Sequence, residues 1–461
     1  MNPRVFREYD IRGVADTDFP DDFVSDLGRA IGTALGEDGA RTITLGRDCR
    51  VSSPRIHAAL RAGLLTTGID IIDVGVLHSP GLYFSVFHLN ADGGVMVTAS
   101  HNPSEDNGFK IVQGRSTIHG AAIQRLRTII EQRRFRVADR PGTVRDHANL
   151  PDYVKTIAEN VSLGARKFKV VVDGGNGTGG LSILPVLDRL GVAYEALYCE
   201  PDGRFPNHHP DPTVPENLAD LRARVLATGA ELGIALDGDA DRVGAVDGKG
   251  RIIWGDQLVM LFAQEILTRK PGATFVSEVK CSQALYDEIA RMGGRAVMWK
   301  VGHSLIKVKM KEEHAALAGE MSGHMFFADR WFGFDDAVYA GVRLVELLSK
   351  SPRTLADLYD TLPVLHNTPE IRMTCPDDIK FEVVKRAVAA FRAEYPVVDI
   401  DGARVTFPGG WGLVRASNTG PVLVLRFEAD SPPRLNEIKT LVETRLAALI
   451  DDVRRGVPAH G

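Results

Sequence analysis

Short runs of β-branched and apolar residues alternate with helical patterns through most of this chain, and this alternation constrains its fold more than any other feature. Strand-length runs separated by helices are typical of βαβ units, which form mostly parallel sheets covered by helices. Three blocks, each about 100 to 150 residues long, repeat the plan. The sequence therefore predicts three copies of one α/β architecture.

The predicted elements define each block. The first has strands at 42–45, 69–74 and 95–97 and helices at 53–66 and 81–88. The second has strands at 168–172, 194–197 and 232–236 and helices near 179–190 and 216–228. The third has strands at 274–277, 296–299 and 315–318 and helices near 256–269, 282–292, 303–311 and 335–349.

The C-terminal part follows a different plan. Strands are expected at 370–373, 403–407, 412–415 and 422–427, with helices near 379–393 and 434–448. Strands that follow one another in this way are typical of an α+β unit. We therefore predict an α/β protein with three related mixed-sheet domains and a C-terminal α+β domain. The expected ranges are 1–150, 151–254, 255–366 and 367–461.

Charge and apolar content argue against two classes of partner. The 461 residues include 55 Lys and Arg against 60 Asp and Glu, a net charge of −5, whereas nucleic-acid binding needs a basic surface. The most apolar stretch, 258–267, is interrupted by Gln264 and Glu265 and is shorter than the roughly 20 residues of a bilayer span. The four cysteines form no disulfide framework or zinc motif. We expect a cytoplasmic protein that binds neither nucleic acid nor membranes.

A candidate catalytic residue, Ser100, follows a predicted strand. Residues 94–103 read Gly-Val-Met-Val-Thr-Ala-Ser-His-Asn-Pro, so polar groups come directly after an apolar run. Ligands of parallel α/β sheets bind outside the carboxyl ends of the strands, which places Ser100 at the mouth of a site. An ordinary turn is the alternative, because Ser, Asn and Pro are common turn residues. The Gly-x-Ser-x-Gly elbow of hydrolases is not present around Ser100.

Another predicted strand is followed by three carboxylates. Asp237, Asp239 and Asp241 precede Arg242. Carboxylates at this spacing can converge on one hard cation, and without a positive partner they would repel one another. An EF-hand loop needs Gly at its sixth position and Glu at its twelfth, where this chain has Arg242 and Gly248. The segment predicts a Mg²⁺ site that meets a phosphate, with a solvated acidic turn as the alternative.

A glycine-rich segment keeps an unrelated function open. Residues 175–180 match the Gly-x-Gly-x-x-Gly pattern of dinucleotide-binding proteins, and Glu200 stands near the end of the next strand. An NAD-dependent oxidoreductase is the function that this pattern would indicate, but Asp173 would place a carboxylate near the pyrophosphate of the dinucleotide. That function would also leave the three aspartates without a role. Residues 304–307 match Ser-x-x-Lys, but no Lys-Thr-Gly follows, which favours a helix surface.

Two later loops carry groups suited to a phosphosugar. Residues 319–324, Gly-Glu-Met-Ser-Gly-His, offer a carboxylate, a hydroxyl and an imidazole to sugar hydroxyls. Residues 415–420, Arg-Ala-Ser-Asn-Thr-Gly, offer a guanidinium, two hydroxyls and an amide to a phosphate. Either segment alone would be an ordinary loop. Together with Ser100 and the aspartates, they favour phosphosugar chemistry.

These segments, in this order, resemble the α-D-phosphohexomutase family. Its phosphoserine, metal, sugar and phosphate loops are similar to residues 98–103, 237–242, 319–324 and 415–419. The resemblance extends from Tyr-Asp-Ile-Arg-Gly at 9–13 to the C-terminus. With Met at position 321, the segment Glu-Met-Ser-Gly-His is similar to that of the bacterial phosphomannomutase/phosphoglucomutase branch. The alternative, a phosphoglucosamine mutase, usually has Gln at this position.

The resemblance implies an activity and a cofactor. The family has four domains around a central cleft, and Ser100 would carry a phosphoryl group in the resting enzyme. That phosphoserine, with Asp237, Asp239 and Asp241, would hold one Mg²⁺. It would convert a hexose 1-phosphate or 6-phosphate, of mannose or glucose, into a 1,6-bisphosphate that reorients and returns its other phosphoryl group to Ser100. Glucose 1,6-bisphosphate would be the activator.

The resemblance also implies roles for residues around the cleft. The reacting end would be lined by Arg12, His101, Lys110 and Arg242. Sugar hydroxyls would be bound by Glu320 and Ser322, and the distal phosphate by Arg415, Ser417, Asn418 and Thr419. Tyr9 and Lys280 would border the cleft. Gly302, His303 and His324 would help to position the substrate in its two orientations. Members of this branch are usually monomers that supply nucleotide-sugar precursors. A phosphatase would use a similar mechanism, because water could also attack the phosphoserine.

Overall fold

A computed structural model of the chain describes residues 1–417 and 420–456. Its strands form four sheets, and the four units that carry them are named units 1 to 4 in chain order. Unit 1 contains β1 (Ile11–Val14), α1 (Ala15–Asp18), α2 (Asp21–Glu37), β2 (Thr42–Arg47), α3 (Ser53–Thr66), β3 (Asp70–Val76), α4 (Ser79–His88), β4 (Gly93–Val97), β5 (Asp106–Gln113), β6 (Ser116–Thr117), α5 (Ala121–Glu131) and β7 (Val144–Asp146). Unit 2 contains α6 (Asn149–Asn160), β8 (Lys169–Asp173), α7 (Gly180–Leu190), β9 (Ala193–Leu197), α8 (Ala219–Thr228), β10 (Leu232–Leu236), β11 (Val243–Asp247) and β12 (Ile252–Ile253).

The remaining elements belong to units 3 and 4. Unit 3 contains α9 (Gly255–Arg269), β13 (Thr274–Glu278), α10 (Gln283–Arg291), β14 (Arg295–Trp299), α11 (His303–Glu312), β15 (Leu317–Gly319), β16 (Met325–Phe327), α12 (Ala337–Lys350) and α13 (Leu355–Tyr359). Unit 4 contains β17 (His366–Asn367), β18 (Ile371–Thr374), α14 (Lys380–Arg392), β19 (Val397–Val398), β20 (Ala403–Phe407), β21 (Gly410–Ala416), β22 (Val422–Ala429) and α15 (Pro432–Arg454). Short 3-10 helices lie at Pro3–Val5 and Pro215–Leu218.

Units 1 to 3 share one strand order. Three parallel strands in each unit run β3–β2–β4, β9–β8–β10 and β14–β13–β15, so the first of these three in the sequence lies between the second and the third. A fourth strand, β5, β11 or β16, then pairs antiparallel with the third. This repetition confirms the prediction of related mixed-sheet α/β units.

The antiparallel fourth strands were not predicted. The strand β5 begins with Asp-Asn-Gly, which is typical of a turn, β11 contains a glycine, and β16 has only three residues. Their pairing with a buried third strand overrides these weak local signals. Each fourth strand creates a hairpin, and its connection lies at the carboxyl end of the third strand.

The sheet of unit 4 is antiparallel throughout. Its order is β17–β22–β21–β20–β19, with β18 also paired to β22. Helices α14 and α15 pack against this sheet around Phe391, Leu425 and Val442. The α+β prediction for the C-terminal part is therefore confirmed, whereas the four domain ranges stay predictions.

The apolar cores explain how the units are held together. The largest buried cluster is continuous across units 1 to 3 and includes Val86, Val172, Ile234 and Val259. Helix α9, which contains the apolar stretch 258–267, contributes to this core. Among the described residues, no helix combines the length and the apolar character that a bilayer span requires.

Candidate active site

The hairpin connections of units 1 to 3 place the predicted loops at equivalent positions. Residues 98–105 join β4 to β5, 237–242 join β10 to β11, and 320–324 join β15 to β16. Each connection leaves the carboxyl end of the third parallel strand of its unit. The fold therefore places the predicted serine, aspartate and sugar-binding loops at the same position of three related units.

Ser100 lies at the tip of the first connection and contacts unit 2. Its backbone φ is 53°, in the left-handed region, and its N–H donates to Oγ1 of Thr98 at 2.9 Å. Its hydroxyl donates to Oδ2 of Asp237 at 2.8 Å and lies 3.1 Å from Nδ1 of His101. The side chain is almost completely buried, so these two groups define its surroundings.

Arg50 positions residues 98–105, the connection between β4 and β5, which we call the serine loop. Sequence reasoning missed Arg50. This buried guanidinium donates to the backbone carbonyls of Ser100 and Asn102 at 2.8 and 2.6 Å, and also to those of Pro103 and Asp106. Burial lowers the pKa of Arg50, which the Asp48 carboxylate opposes from 3.2 Å. The only available signal was the place of Arg50 after the carboxyl end of β2, where site residues of α/β sheets collect.

Asp237, Asp239 and Asp241 converge in the second connection. All three are buried, and their oxygens lie within 4.8 Å of one another. Burial and the charges of Asp241 and Asp239 raise the pKa of Asp237 well above its usual range. Burial also raises the pKa of Asp239, but the Lys110 ammonium, 2.6 Å away, and the hydroxyls of Ser79 and Ser100 together lower it below its usual range. Lys110 also hydrogen-bonds Asp241.

The carboxylate cluster fits a hard cation. The Oδ1 atoms of Asp239 and Asp241 are buried and have no hydrogen-bond partner among the described residues. Buried carboxylate oxygens are costly unless they are paired or coordinated. Oxygen ligands are those that Mg²⁺ prefers. These aspartates, together with the adjacent Ser100 hydroxyl, could therefore hold a metal.

Cationic and imidazole groups surround the serine. Arg242 donates from Nε to Nε2 of His324 at 3.0 Å, and its Nη1 lies 3.4 Å from Nε2 of His101. Burial and the nearby Arg242 and Arg12 guanidinium groups lower the pKa of His101 well below its usual range. The His101 imidazole is therefore neutral near pH 7. Arg12 is held by Asp10 and Asn102, at 2.6 and 2.5 Å.

The third connection and the start of α11 form the other wall. Glu320 accepts the backbone N–H of Gly302 at 2.8 Å, and the rings of His303 and His324 stack 5.5 Å apart. Asp335, which sequence reasoning missed, lies 3.2 Å from Nδ1 of His303 and 3.4 Å from Nδ1 of His324. The Asp335 carboxylate therefore lies within ion-pair distance of both imidazoles, while Nδ1 of His324 is 3.1 Å from the carbonyl of Asp241.

Unit 4 reaches this wall through Asp401, another residue that sequence reasoning missed. Its Oδ2 accepts the backbone N–H of Val301 at 3.0 Å and lies 3.2 Å from Nε of Arg415. Tyr9 of unit 1 donates to the carbonyl of the same Val301 at 3.0 Å. Lys280 lies 3.4 Å from Glu370. Arg415 is therefore tied to the loop that precedes Gly302.

A cavity of about 270 Å³ brings about half of the predicted residues together. Among the residues that line it are Tyr9, Arg12, Ser100, His101, Lys110, Asp241, Arg242, His303 and His324. Asp237 contacts Ser100, and Glu320 joins the site through Gly302. Lys280, Ser322, Arg415 and Ser417 are not part of the cavity lining. Asn418 and Thr419 are outside the described residues.

The glycine-rich segment 175–180 packs against protein instead of presenting a phosphate-binding loop. A Cβ at Gly177 would lie 2.5 Å from the carbonyl oxygen of Gly238, and one at Gly180 would lie 2.3 Å from that of Cys199. Asp173 is buried and contacts His208. These glycines allow backbone to approach backbone, so the dinucleotide alternative is not favoured.

Comparisons with protein families identify this architecture. Four family models match, described as phosphoglucomutase/phosphomannomutase alpha/beta/alpha domains I, II and III and the C-terminal domain. They cover residues 3–137, 151–250, 254–365 and 370–444. The chain belongs to the phosphoglucomutase/phosphomannomutase family. The predicted α-D-phosphohexomutase resemblance is therefore confirmed.

Relatives of this phosphohexomutase match it along almost its whole length. It is 47% identical over 446 residues to a Pseudomonas aeruginosa protein named phosphomannomutase/phosphoglucomutase, covering 96% of each chain. It is 44% identical over 450 residues to a Neisseria gonorrhoeae phosphoglucomutase, covering 97% of this chain and 96% of the other. A crystal structure of a family protein from Burkholderia thailandensis superimposes with a TM-score of 0.91 at 40% identity, covering 97% of this chain and 98% of the other.

Proposed function

We propose that this phosphohexomutase reversibly interconverts hexose 1-phosphates and hexose 6-phosphates of mannose and glucose. The observation that carries the proposal is the contact of Ser100 Oγ with Asp237 Oδ2 at 2.8 Å, at the edge of a buried carboxylate cluster. A hydroxyl in this place can carry a phosphoryl group beside a cation. The family relationship and the names of the relatives support the same reaction class.

We assign the resident metal as one Mg²⁺. Asp237, Asp239 and Asp241 would hold it together with an oxygen of phosphorylated Ser100. When bound, Mg²⁺ would neutralise the charge that develops during phosphoryl transfer. The cationic Lys110 lies beside Asp239 and Asp241, and it would balance their remaining negative charge.

Phosphoryl transfer breaks the bond between phosphorus and Ser100 Oγ and forms one between phosphorus and a sugar oxygen. The sugar hydroxyl loses a proton, and Ser100 Oγ gains one. The neutral imidazole of His101 is 3.1 Å from that oxygen, so we propose that it accepts the proton that the sugar hydroxyl loses and delivers this proton to Ser100 Oγ. Arg12 and Arg242 would hold the phosphate oxygens. The 1,6-bisphosphate then reorients and returns its other phosphoryl group to Ser100, and glucose 1,6-bisphosphate would activate dephosphorylated enzyme.

Substrate would lie between Ser100 and unit 4. We propose that Glu320 and Ser322 bind two sugar hydroxyls that mannose and glucose share. The configuration at C2, at which these two sugars differ, would then make few contacts with the protein. Tyr9, Lys280 and the His303–His324 pair would border the sugar, with Gly302 giving the close approach beside Tyr9. The distal phosphate would be bound by Arg415, Ser417, Asn418 and Thr419.

We also propose the wider context of the enzyme. Its four domains would comprise residues 1–150, 151–254, 255–366 and 367–461, which the ranges of the four family matches support. We expect a cytoplasmic monomer that supplies hexose phosphates for nucleotide-sugar synthesis.

The test is a product assay on the intact chain. It is incubated with glucose 1-phosphate or mannose 1-phosphate, Mg²⁺ and a trace of glucose 1,6-bisphosphate. Formation of the corresponding 6-phosphate from both substrates is expected. Glucosamine 1-phosphate is the comparison substrate, and a preference for it would move the proposal to phosphoglucosamine mutase. Release of inorganic phosphate as the only product would replace a mutase with a phosphatase.

A further inference from the structure

Two histidines and a carboxylate converge on the surface, at the junction of units 1 and 2. His88 ends helix α4, His147 precedes helix α6, and Asp152 lies in the first turn of α6. The Nε2 atoms of His147 and His88 lie 3.1 and 3.4 Å from the same Oδ2 of Asp152. The three ligand atoms all lie within 4.8 Å of one another.

This spacing matches a tetrahedral metal site. Ligands that lie at about 2.0–2.1 Å from zinc in a tetrahedral site are about 3.3 Å from one another. The two measured separations from Asp152 bracket that value. A set of two imidazoles and one carboxylate with an open fourth position is a common arrangement for borderline divalent metals.

The ligands are held in place and remain accessible. The ring of His88 stacks on buried Phe84 with centroids 4.9 Å apart, and the backbone N–H of His147 donates to the carbonyl of Asp73 at 2.9 Å. The three side chains are 26% to 39% exposed, so an ion can enter from solvent. Helix α6 packs against both α4 and α7.

We propose that His88, His147 and Asp152 form a second metal site, which takes a divalent cation of the zinc class and ties unit 1 to the helix that begins unit 2. Imidazole nitrogen is a good ligand for Zn²⁺ and Co²⁺ and a poor one for Mg²⁺. The site is therefore chemically distinct from the all-oxygen aspartate cluster beside Ser100, and it serves stability instead of phosphoryl transfer.

The experiment titrates Zn²⁺ and Co²⁺ into the full chain in millimolar Mg²⁺, which occupies the aspartate cluster. Wild type is compared with His147→Ala and His88→Ala. His366→Ala, which changes an exposed histidine on β17, is the matched control. Affinity is followed by calorimetry, Co²⁺ coordination by its visible absorption, and folding by circular dichroism and mutase turnover.

We expect removal of either histidine to weaken Zn²⁺ binding by at least about tenfold and to abolish the Co²⁺ visible bands. The control should behave as wild type, and all variants should retain turnover. Zn²⁺ should also raise the melting temperature of wild type more than that of His147→Ala. Equal Zn²⁺ affinity in wild type and His147→Ala, or Co²⁺ bands that survive this substitution, would overturn the proposal. If Zn²⁺ bound only at the aspartate cluster, its affinity would be equal in wild type and His147→Ala, which is the first of these two outcomes.

Discussion

Ser100 combines an uncommon backbone conformation with contacts from two units. A left-handed φ of 53° is rare for a residue with a Cβ, and such conformations persist where the surroundings determine them. Here Thr98 and Arg50 fix the backbone, while Asp237 and His101 contact the hydroxyl. The position of the Ser100 hydroxyl is therefore set by contacts within the protein itself.

Replacement of this hydroxyl is the most direct test at the residue scale. Ser100→Ala removes the oxygen that we propose carries the phosphoryl group, so we expect loss of covalent phosphate and of most turnover. Intact-mass measurement after incubation with glucose 1,6-bisphosphate checks the first result. Thr98→Ser is the control and should stay phosphorylated. A phosphoryl group still attached to the alanine variant would refute the assignment.

Gly238 allows residues 237–242, which contain the three aspartates, to approach the serine loop. A Cβ at this position would lie 2.4 Å from the carbonyl oxygen of Ser100, which Arg50 already binds. We expect Gly238→Ala to separate the two loops and to lower kcat by about 10²-fold, because catalytic groups tolerate little displacement. Gly248→Ala, in the turn that follows β11, is the control, since its Cβ meets nothing closer than 3.3 Å. Unchanged kcat in Gly238→Ala would mean that this approach does not matter.

At the scale of elements, one guanidinium organises the whole serine loop. Arg50 follows β2 and donates to three carbonyls of the β4–β5 connection and to that of Asp106, the first residue of β5. Lysine has one compact ammonium and cannot reproduce this fork of donors. We expect Arg50→Lys to fold but to lose about 10²-fold in kcat, with a smaller change in KM. Steady-state kinetics with glucose 1-phosphate check this split, and a change in KM alone would contradict it.

The loop after β9 contains a pH-dependent contact. Burial lowers the pKa of His208, but the Asp173 carboxylate 3.0 Å away, the His209 carbonyl and the charge of Asp220 together raise it above its usual value of 6.5. The charged pair therefore contributes its full stability below pH 6.5 and loses it as pH rises through the folded pKa. We expect His208→Gln to lower the melting temperature more at pH 5.5 than at pH 8.5. His366→Gln should show no such difference, and an equal loss at both pH values would exclude this contribution.

Local pattern predicted helices and strands that carry a clear run or period of apolar residues, and it missed the features that long-range contacts decide. The helix Ser53–Thr66 and the strands Leu232–Leu236 and Ala403–Phe407 were predicted with the observed bounds. Arg50, Asp335 and Asp401 were missed, because a single charged residue carries no periodicity and its partners come from distant segments. The four motif loops were found because several functional groups are adjacent in each of them.

At the scale of the whole molecule, unit 4 joins the site through a short chain of contacts. Asp401 links Arg415 to the backbone of Val301, which Tyr9 of unit 1 also binds. Of the predicted phosphate-binding residues, Arg415 and Ser417 do not line the cavity that contains Ser100. Binding of the distal phosphate and phosphorylation of the serine should be separable.

Arg415→Ala tests this separation. We expect it to raise KM for hexose phosphates by about tenfold or more, since a charge-assisted contact to phosphate is lost. Ser100 should remain phosphorylated, which intact-mass measurement checks. Arg372→Ala, which changes an exposed arginine in the same unit, is the control. Loss of phosphate from Ser100 in the Arg415 variant would mean that Arg415 belongs to the reacting end.

The contact between Ser100 and Asp237 spans 137 residues of sequence, and this separation has a consequence during protein synthesis. A ribosome that adds about 5–20 residues per second needs about 7–27 s to extend the nascent chain from one residue to the other. Throughout that interval the serine exists without its carboxylates. The growing chain therefore cannot take part in phosphoryl exchange with cellular hexose phosphates until its second unit has been made and has docked.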